Sequence, residues 1–522
     1  MRGHVYDKSD LIYRLEQCLG KTFEKIDNKG LFDHVQEFRL QKGIAGSVVE
    51  QCIFGYSPDT KQKPDLTIMD GEKATKTELK TTGMLIDPKS VKHHYIAKEP
   101  MSITAVGVYD IAEQEFYTSH FWEKLEHMLI VYYHYDASHA VSPYEYKNFR
   151  LVGYEFHEFS DEDVEILKND WENVRKLCEG VVAQFPGSRD AAWKDNVKQE
   201  YIKVHGQLRH VLSYIDLAPK FPPRFRLKKP IVSAMIANHF GYELEQLPGR
   251  YTAITDIDRK CNELTAKYKG RTIASLAQEF GIPYHRQHEN KAITEQIIVA
   301  MFGGESARLN RISLFEKFGL IGKTVVVTSR GGRTEDMKLF RVDCDEITRT
   351  EVFEEDGSSR PYLFEDSDFY SYFADYEFLC IVFEEAKAKV VEEVPGMFME
   401  TPHKLGDNRF VGFRRLVFSD QFIDEKVKPV WEDIRTKVMT GTLVDVVRKR
   451  KDGKVIINKN GEVSSAPNFM KSRDNDVFLR GSGTNSSSMS KTECINGISM
   501  LPQYVWVKGT SIVREIDIKS KD

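Results

Sequence analysis

Lys63-Pro-Asp-Leu66, followed by Thr77-Glu-Leu-Lys-Thr81, is the stretch whose reading decides the fold. Residues 77–81 read as a β-strand, and side chains two apart on a strand share a face, so Glu78 and Lys80 project together. Asp65 opens a second alternating run through Leu66 and Ile68, and Asp70-Gly71 is a hairpin signal that folds the two strands side by side. Asp65 is then expected beside Glu78. Two carboxylates form a hard-oxygen donor set suited to Mg²⁺, and an ammonium next to them can orient water or offset charge during phosphodiester hydrolysis. The fold implied is α/β, with a mixed sheet flanked by helices.

The chain has 522 residues, 41% of them hydrophobic, enough for two domains with sizeable cores. No apolar run reaches the roughly 18 residues of a membrane span, and Met1-Arg-Gly-His-Val-Tyr-Asp7 lacks a signal-peptide core, so the expectation is a cytoplasmic protein with no membrane partner. Seven cysteines without a C-x-x-C pair give no zinc or disulfide framework. The net charge of −5 hides local basic patches at Arg224-Phe-Arg-Leu-Lys-Lys229 and Arg448-Lys-Arg-Lys451, either of which can meet phosphate.

Comparing the chain with itself reveals colinear matches, as a duplication would give. Lys42-Gly-Ile-Ala-Gly-Ser-Val-Val-Glu-Gln-Cys-Ile-Phe54, with the helical spacing Ile44, Val48, Cys52, is matched by Lys291-Ala-Ile-Thr-Glu-Gln-Ile-Ile-Val-Ala-Met-Phe-Gly303. The apolar run Leu125-Glu-His-Met-Leu-Ile-Val131 is matched by Tyr376-Glu-Phe-Leu-Cys-Ile-Val382, and both read as buried strands. Phe159-Ser-Asp161 and Trp171-Glu-Asn-Val-Arg175 recur as Phe418-Ser-Asp420 and Trp431-Glu-Asp-Ile-Arg435. Ser160 with Asp163 reads as the start of the first of these helices, and the tryptophans as core. Gln207-Leu-Arg-His210 falls on Phe478-Leu-Arg-Gly481, and Phe225-Arg-Leu-Lys228 on Val505-Trp-Val-Lys508. Carried across, Glu50 becomes Val299, Glu78 becomes Val325, Lys80 becomes Val327 and Lys124 becomes Asp375, while no aspartate between Gly303 and Thr324 replaces Asp65. The second copy is therefore expected to be catalytically silent. Arg480 and Lys508, placed opposite Arg209 and Lys228, suit a DNA-binding or allosteric module.

Lys42-Gly-x-x-Gly-x-x-x-Glu50, Lys63-Pro-Asp65, Glu78-Leu-Lys-Thr81, Thr118-Ser-His-x-x-x-Lys124, Asp170-Trp-Glu172 and Phe225-x-Leu-Lys-Lys229 resemble, in order, the motifs of the MutH family of DNA endonucleases. The tandem form resembles the large single-chain type II restriction enzymes that cut at GATC. The resemblance implies two restriction-endonuclease-like domains of the PD-(D/E)XK kind: a catalytic one over 1–240, a linker over 241–257 and a degenerate copy over 258–522. It implies that Asp65 and Glu78 hold Mg²⁺ with Glu50 as an additional acid. Lys80 would orient or activate water, and Lys124 would stabilise the scissile phosphate. Arg209 is then the first choice for base contact, since arginine reads guanine bidentately. Arg226, Lys228 and Lys229 are expected at the DNA, with Arg480 and Lys508 in the second half.

Two departures leave the recognised bases and any methylation response open. The family's Arg-Pro-Lys loop is Arg209-His210-Val211 here, and a tyrosine linked to sensing adenine methylation is Arg226. Twelve residues between Asp65 and Glu78 lengthen the hairpin. Arg271-Thr-Ile-Ala-Ser-Leu-Ala-Gln-Glu-Phe-Gly-Ile282 looks like the start of a helix-turn-helix, but the repeat aligns it with Lys21-Thr-Phe-Glu-Lys-Ile26 and favours scaffold. His93-His94 do not share a strand face and lack a third ligand. The reading is a Mg²⁺-dependent type II restriction endonuclease acting on double-stranded DNA at a short palindrome such as GATC and leaving 5′-phosphate ends. Self-association on DNA is possible, and a cognate methyltransferase would be its system partner. A repair-type nickase and a non-catalytic DNA-binding regulator are the alternatives.

Overall fold

The computed structural model describes residues 4–34, 43–56, 63–87, 93–137, 141–218, 221–285, 292–328, 335–353, 359–386, 390–394, 397–400, 404–458, 461–483 and 487–516. Lys42, Lys291 and residues 484–486 lie outside them. The chain divides into two compact units: residues 1–258 with 310–320 and 351–361, and residues 259–309 with 321–350 and 362–522. The helix Ile254–Tyr268 runs across the domain boundary expected from sequence. Residues within the expected linker make tertiary bonds, Tyr242 Oη accepting from Tyr95 N and Glu245 N donating to Arg311 O.

Over residues 1–258 of the first unit the described strands are β1 (Val5–Asp7), β2 (Leu66–Asp70), β3 (Lys73–Ile86), β4 (Tyr95–Ala97), β5 (Met101–Ala105), β6 (Met128–His134), β7 (Arg150–His157), β8 (Ile215–Leu217) and β9 (Arg224–Leu227). A six-stranded mixed sheet has the order β1-β2-β3-β6-β7, with β4 also on β3. β1–β2 and β3–β6 are parallel, while β2–β3 and β6–β7 are antiparallel. The β2–β3 hairpin forms as read, with Asp70 opposite Lys73 and Gly71 at φ 64°, a left-handed turn conformation glycine adopts without strain. One face carries Leu66, Ile68, Leu79, Leu129 and Val131, packed with Leu11, Leu15, Ile44 and Val48 from two helices. Alternation along β3 turns Glu78 and Lys80 to the opposite face. β5, β9 and β8 make a separate antiparallel sheet.

Residues 125–127, expected at the start of a strand, instead close the helix His120–Leu125 and the turn after it; β6 starts at Met128. Leu125 is buried as a helix residue, which is why hydrophobicity alone merged the two elements.

In the second unit the strands Leu320–Val327, Glu377–Glu384 and Arg409–Leu416 form one sheet, and Met337–Arg341, Gln503–Val507 and Val477–Gly481 another. Several closures occur in both units. Gly20 N donates to Leu151 O and Phe23 N to Phe149 O, as Gly270 N donates to Phe410 O and Ile273 N to Asn408 O. Tyr132 pairs with Gly153 and Tyr133 with Leu151 across a bulge, as Val382 pairs with Gly412 and Phe383 with Phe410. The helix Ile273–Glu279, capped by Thr272, thus takes part in the same strand-edge contact as residues 20–23, a scaffold position.

These bonds correct the register expected between the halves. Tyr135 N donates to Met84 O at 2.9 Å, and Glu385 N to Val327 O at 2.8 Å. Val327 thus holds in the second unit the bonding position that Met84 holds in the first. Counting back along both strands sets Lys80 opposite Lys323 and Glu78 opposite Ile321, in place of Val327 and Val325. Lys124 likewise does not fall on Asp375. Ser119 and Ser367 cap their helices through Trp122 N and Tyr370 N, which sets Lys124 against Tyr372, five residues past each cap. Sequence matching slipped because the second helix is longer, Asp368–Asp375 against His120–Leu125.

Candidate active site

β3 brings Glu78 to the sheet interior, where its residue is 1% exposed. A carboxylate so buried needs partners. Lys80 Nζ and Lys124 Nζ both lie 2.9 Å from Glu78 Oε1. Lys80 comes from the same strand face; Lys124 comes from the last turn of His120–Leu125, whose start is fixed by Ser119 Oγ accepting from Trp122 N at 3.1 Å. The other oxygen, Glu78 Oε2, is buried and has no hydrogen-bond partner in the protein.

Asp65 precedes β2, whose register sets Leu66 against Thr77 and so brings Asp65 to the level of Glu78. Its Oδ2 accepts from Leu79 N at 3.0 Å, which fixes the carboxylate against β3. Burial, and then the negative charge of Glu78, push the Asp65 carboxyl above the usual carboxylate range, against the pull of the Leu79 N–H and the two lysines. An orphaned buried oxygen next to a carboxylate whose charge is disfavoured is a donor set that fits a hard divalent cation. Among the described residues no group of three or more His, Cys, Asp and Glu side chains that could hold a metal ion is found.

Glu50 lies at the first turn of the π-helical segment Val49–Phe54 and is half-buried. Tyr56, which follows Gly55 at φ 85°, is a neighbour that the sequence reading missed. Its phenol is pushed far above the ordinary value by burial and then by the charges of Glu50, Asp65 and Glu78, and its hydroxyl is buried without a partner. The His4 ring lies 4.1 Å from the Tyr56 ring. Helical periodicity could not have found Tyr56, because the widened π-turn shifts the phase in which it leaves the helix.

The DNA-contact candidates are spread through both units, and two of the sequence expectations need correction. Lys228 is 4% exposed and donates to Leu212 O at 2.6 Å, so its ammonium braces the Leu212 turn inside the fold. Arg480 is not the counterpart of Arg209. Arg209 sits half-buried on the 3₁₀ turn His205–His210 ahead of β8, whereas Arg480 lies within the strand Val477–Gly481, opposite Tyr504. By strand pairing, Arg480 holds the position that Ala218, whose N–H bonds Arg224 O, holds in the first unit. Arg226 is paired through two nitrogens with Asp216, and half-buried Lys229 opens the helix Lys229–His239. Arg480 lies 2.7 Å from Asp336 and over the Trp506 ring at 4.7 Å, and Lys508 lies 3.1 Å from Asp476. The His94 ring stacks on the Tyr242 ring with centroids 4.0 Å apart.

The segment that carries Arg209 is held by two buried acids. Asp170, 1% exposed, accepts from Ser213, Tyr214 and Ile215 N at 2.6–3.0 Å. Burial pushes its carboxyl up to about 6 despite those donors. Asp163 accepts from Tyr214 Oη at 2.9 Å and Lys317 Nζ at 2.7 Å. Burial would raise its carboxyl, but the Lys317 ammonium and the hydroxyls of Ser160 and Tyr214 hold it below the usual range.

Residues 54–170 match the family described as DNA mismatch repair enzyme MutH. Over 532 aligned positions the chain is 21% identical to the type II restriction enzyme Sau3AI of Staphylococcus aureus, with 97% of each chain covered. The matched segment contains Asp65, Glu78, Lys80, Lys124 and Asp170; the likeness to the restriction enzyme runs through both units. The chain is a MutH-like, site-specific DNA endonuclease.

Proposed function

We propose that the chain is a type II restriction endonuclease that hydrolyses both strands of duplex DNA at a short palindrome, GATC being the first candidate, and leaves 5′-phosphate ends. The observation that carries this is the arrangement at Glu78, with one oxygen held by two lysines and the other left free beside Asp65. Asp65 and Glu78 would hold Mg²⁺, with Glu50 as an additional acid. When bound, the cation supplies Lewis-acid stabilisation of charge on the phosphoryl oxygens. Lys80, 20% exposed at its side chain, is the group able to face solvent from the site and orient the attacking water. Lys124, nearly enclosed, fixes Glu78 and adds positive potential toward the scissile phosphate. Arg209, Arg226 and Lys229 are the candidates for DNA contact in this unit.

The second unit is read as a silent copy that contributes DNA contact or allosteric control. The shared closures at residues 20–23 and 270–273 and the shared bulge support common descent. Ile321 in place of Glu78 supports silence, and Lys323 donates to a backbone carbonyl, Lys338 O, at 2.8 Å. One active unit serving two strands requires either self-association on DNA or two successive nicks. A restriction enzyme also requires a methyltransferase that protects the host.

Among the described residues no helix is long and apolar enough to cross a membrane. The deciding experiment is digestion of plasmid DNA with Mg²⁺, with and without adenine methylation at GATC, followed by sequencing of the ends. Discrete ends at GATC support the full reading, and discrete ends elsewhere retain the mechanism and remove the inherited site. Relaxed plasmid that is never linearised favours a nickase. Binding without metal-dependent cutting favours a regulator.

A further inference from the structure

The second unit contains a cavity of about 690 Å³ beneath the hairpin Asp445–Val447 and Ser465–Pro467, lined also by residues 471–474 and the strand Val477–Gly481. Six cations and two carboxylates reach its wall. Three of the cations are already compensated: Arg480 by Asp336, Lys491 by Asp445 and Arg473 by Asp474. No hydrogen bond or ion pair from the side chains of Arg448, Lys449 or Lys471 is found among the described residues. Lys471 is the unusual member. Burial, followed by the neighbouring charges of Arg448 and Lys437, pulls its ammonium down to about 8 even though Asp433 and Asp474 oppose the shift. A half-enclosed lysine facing other cations is costly without a counter-ion. The wall also offers Ser464, Ser465 and Gln503, neutral groups able to donate to oxygen.

We propose that this cavity binds backbone phosphates of duplex DNA, with Lys471, Arg448 and Lys449 supplying the charge. An enzyme that acts on DNA meets one polyanion above all others, and Arg448 and Lys449, which follow the strand Asp445–Val447, together with Lys471, which precedes the turn at 472–474, set cations along one wall, an arrangement that matches a backbone rather than a base edge. The proposal rests on the reading of the second unit as a DNA-contacting module and names a site within it that involves neither Arg209 nor Lys508.

The test uses the full chain without divalent cation, measuring affinity for a labelled duplex across a salt series. Lys471→Met and Arg448→Gln are expected to reduce the slope of log K against log salt by about 0.9 for each phosphate no longer neutralised. The exposed Lys269→Gln, outside the cavity, is expected to leave the slope unchanged. Lys471→Met should melt no lower than wild type, since it removes an uncompensated charge, and this checks that it folds. Unchanged slopes for both cavity variants with a reduced slope for Lys508→Gln would overturn the proposal and keep the module. Unchanged slopes for all three would overturn both. Inorganic phosphate titrated into the melting assay separates the remaining case: if it stabilises wild type but not Lys471→Met while the DNA slopes stay equal, the cavity takes a small anion and the DNA assignment fails.

Discussion

Lys124 donates to Glu78 Oε1 at 2.9 Å from 46 residues away, and this bond joins the helix after Ser119 to the strand that carries the central carboxylate. Lys80 meets the same oxygen at the same distance. The two ammonium groups thus pin one side of Glu78 and leave Oε2 as the open acceptor.

Glu78→Gln should therefore abolish cutting, by a factor of about 10³ or more on the scale of losing a principal charge-stabilising group, while DNA affinity in the absence of metal changes little. A plasmid-cleavage time course alongside equilibrium binding checks this. Cleavage at the wild-type rate would remove Glu78 from the site.

Tyr56 offers a subtler test. Its hydroxyl is buried without a partner among Glu50, Asp65 and Glu78. Tyr56→Phe keeps the ring against His4 and deletes only the oxygen, so the fold should be at least as stable, an unsatisfied buried polar atom having been removed. If the hydroxyl helps to position an acid, divalent-ion affinity measured by calorimetry should fall together with the cleavage rate. A stable variant with unchanged ion affinity and rate would assign Tyr56 to packing alone.

The hairpin, the common face of Glu78 and Lys80 and the nearness of Asp65 were legible in the sequence because they rest on period-two alternation and a turn signal, both local properties. The register that sequence matching sets between the halves differs from the one their backbone bonds set. Short hydrophobic matches tolerate slips of a few residues, whereas hydrogen bonds such as Glu385 N to Val327 O do not. Lys228 shows a second limit: a basic run reads as surface, and only the fold reveals the carbonyl of Leu212 waiting for its ammonium. Asp163 reads as part of a helix start and Asp170 as part of a family motif; that they organise residues 213–215 depends on partners more than 40 residues away.

Lys317→Met tests that organisation. It leaves Asp163 charged and largely enclosed with only hydroxyl partners, and breaking a buried pair costs about 3–5 kcal/mol, reduced here by the partial exposure of both side chains. The Asp163 carboxyl is depressed in the fold, so its stabilisation is present above the usual carboxylate value and is lost as pH falls through the folded value. The melting temperature of the variant should thus fall well below wild type near neutral pH, and the gap should narrow in acid. A gap independent of pH would mean that Lys317 acts by packing rather than by charge.

Lys471 carries the opposite sign. Its ammonium is depressed to about 8, so between there and the usual lysine value the folded chain binds fewer protons than the unfolded one. Stability attributable to this residue therefore rises with pH across that window and is at its lowest, and constant, below it. Lys471→Met lacks the slope. Compared without DNA, the variant should melt above wild type at pH 7, and its advantage should shrink as pH rises past about 8. Bound DNA should reverse the order at neutral pH, because a phosphate compensates the ammonium in wild type and finds no charge in the variant. Melting curves at two pH values, with and without duplex, contain all four comparisons. A variant that melts with wild type in every one of them would show that Lys471 is already compensated in the free protein.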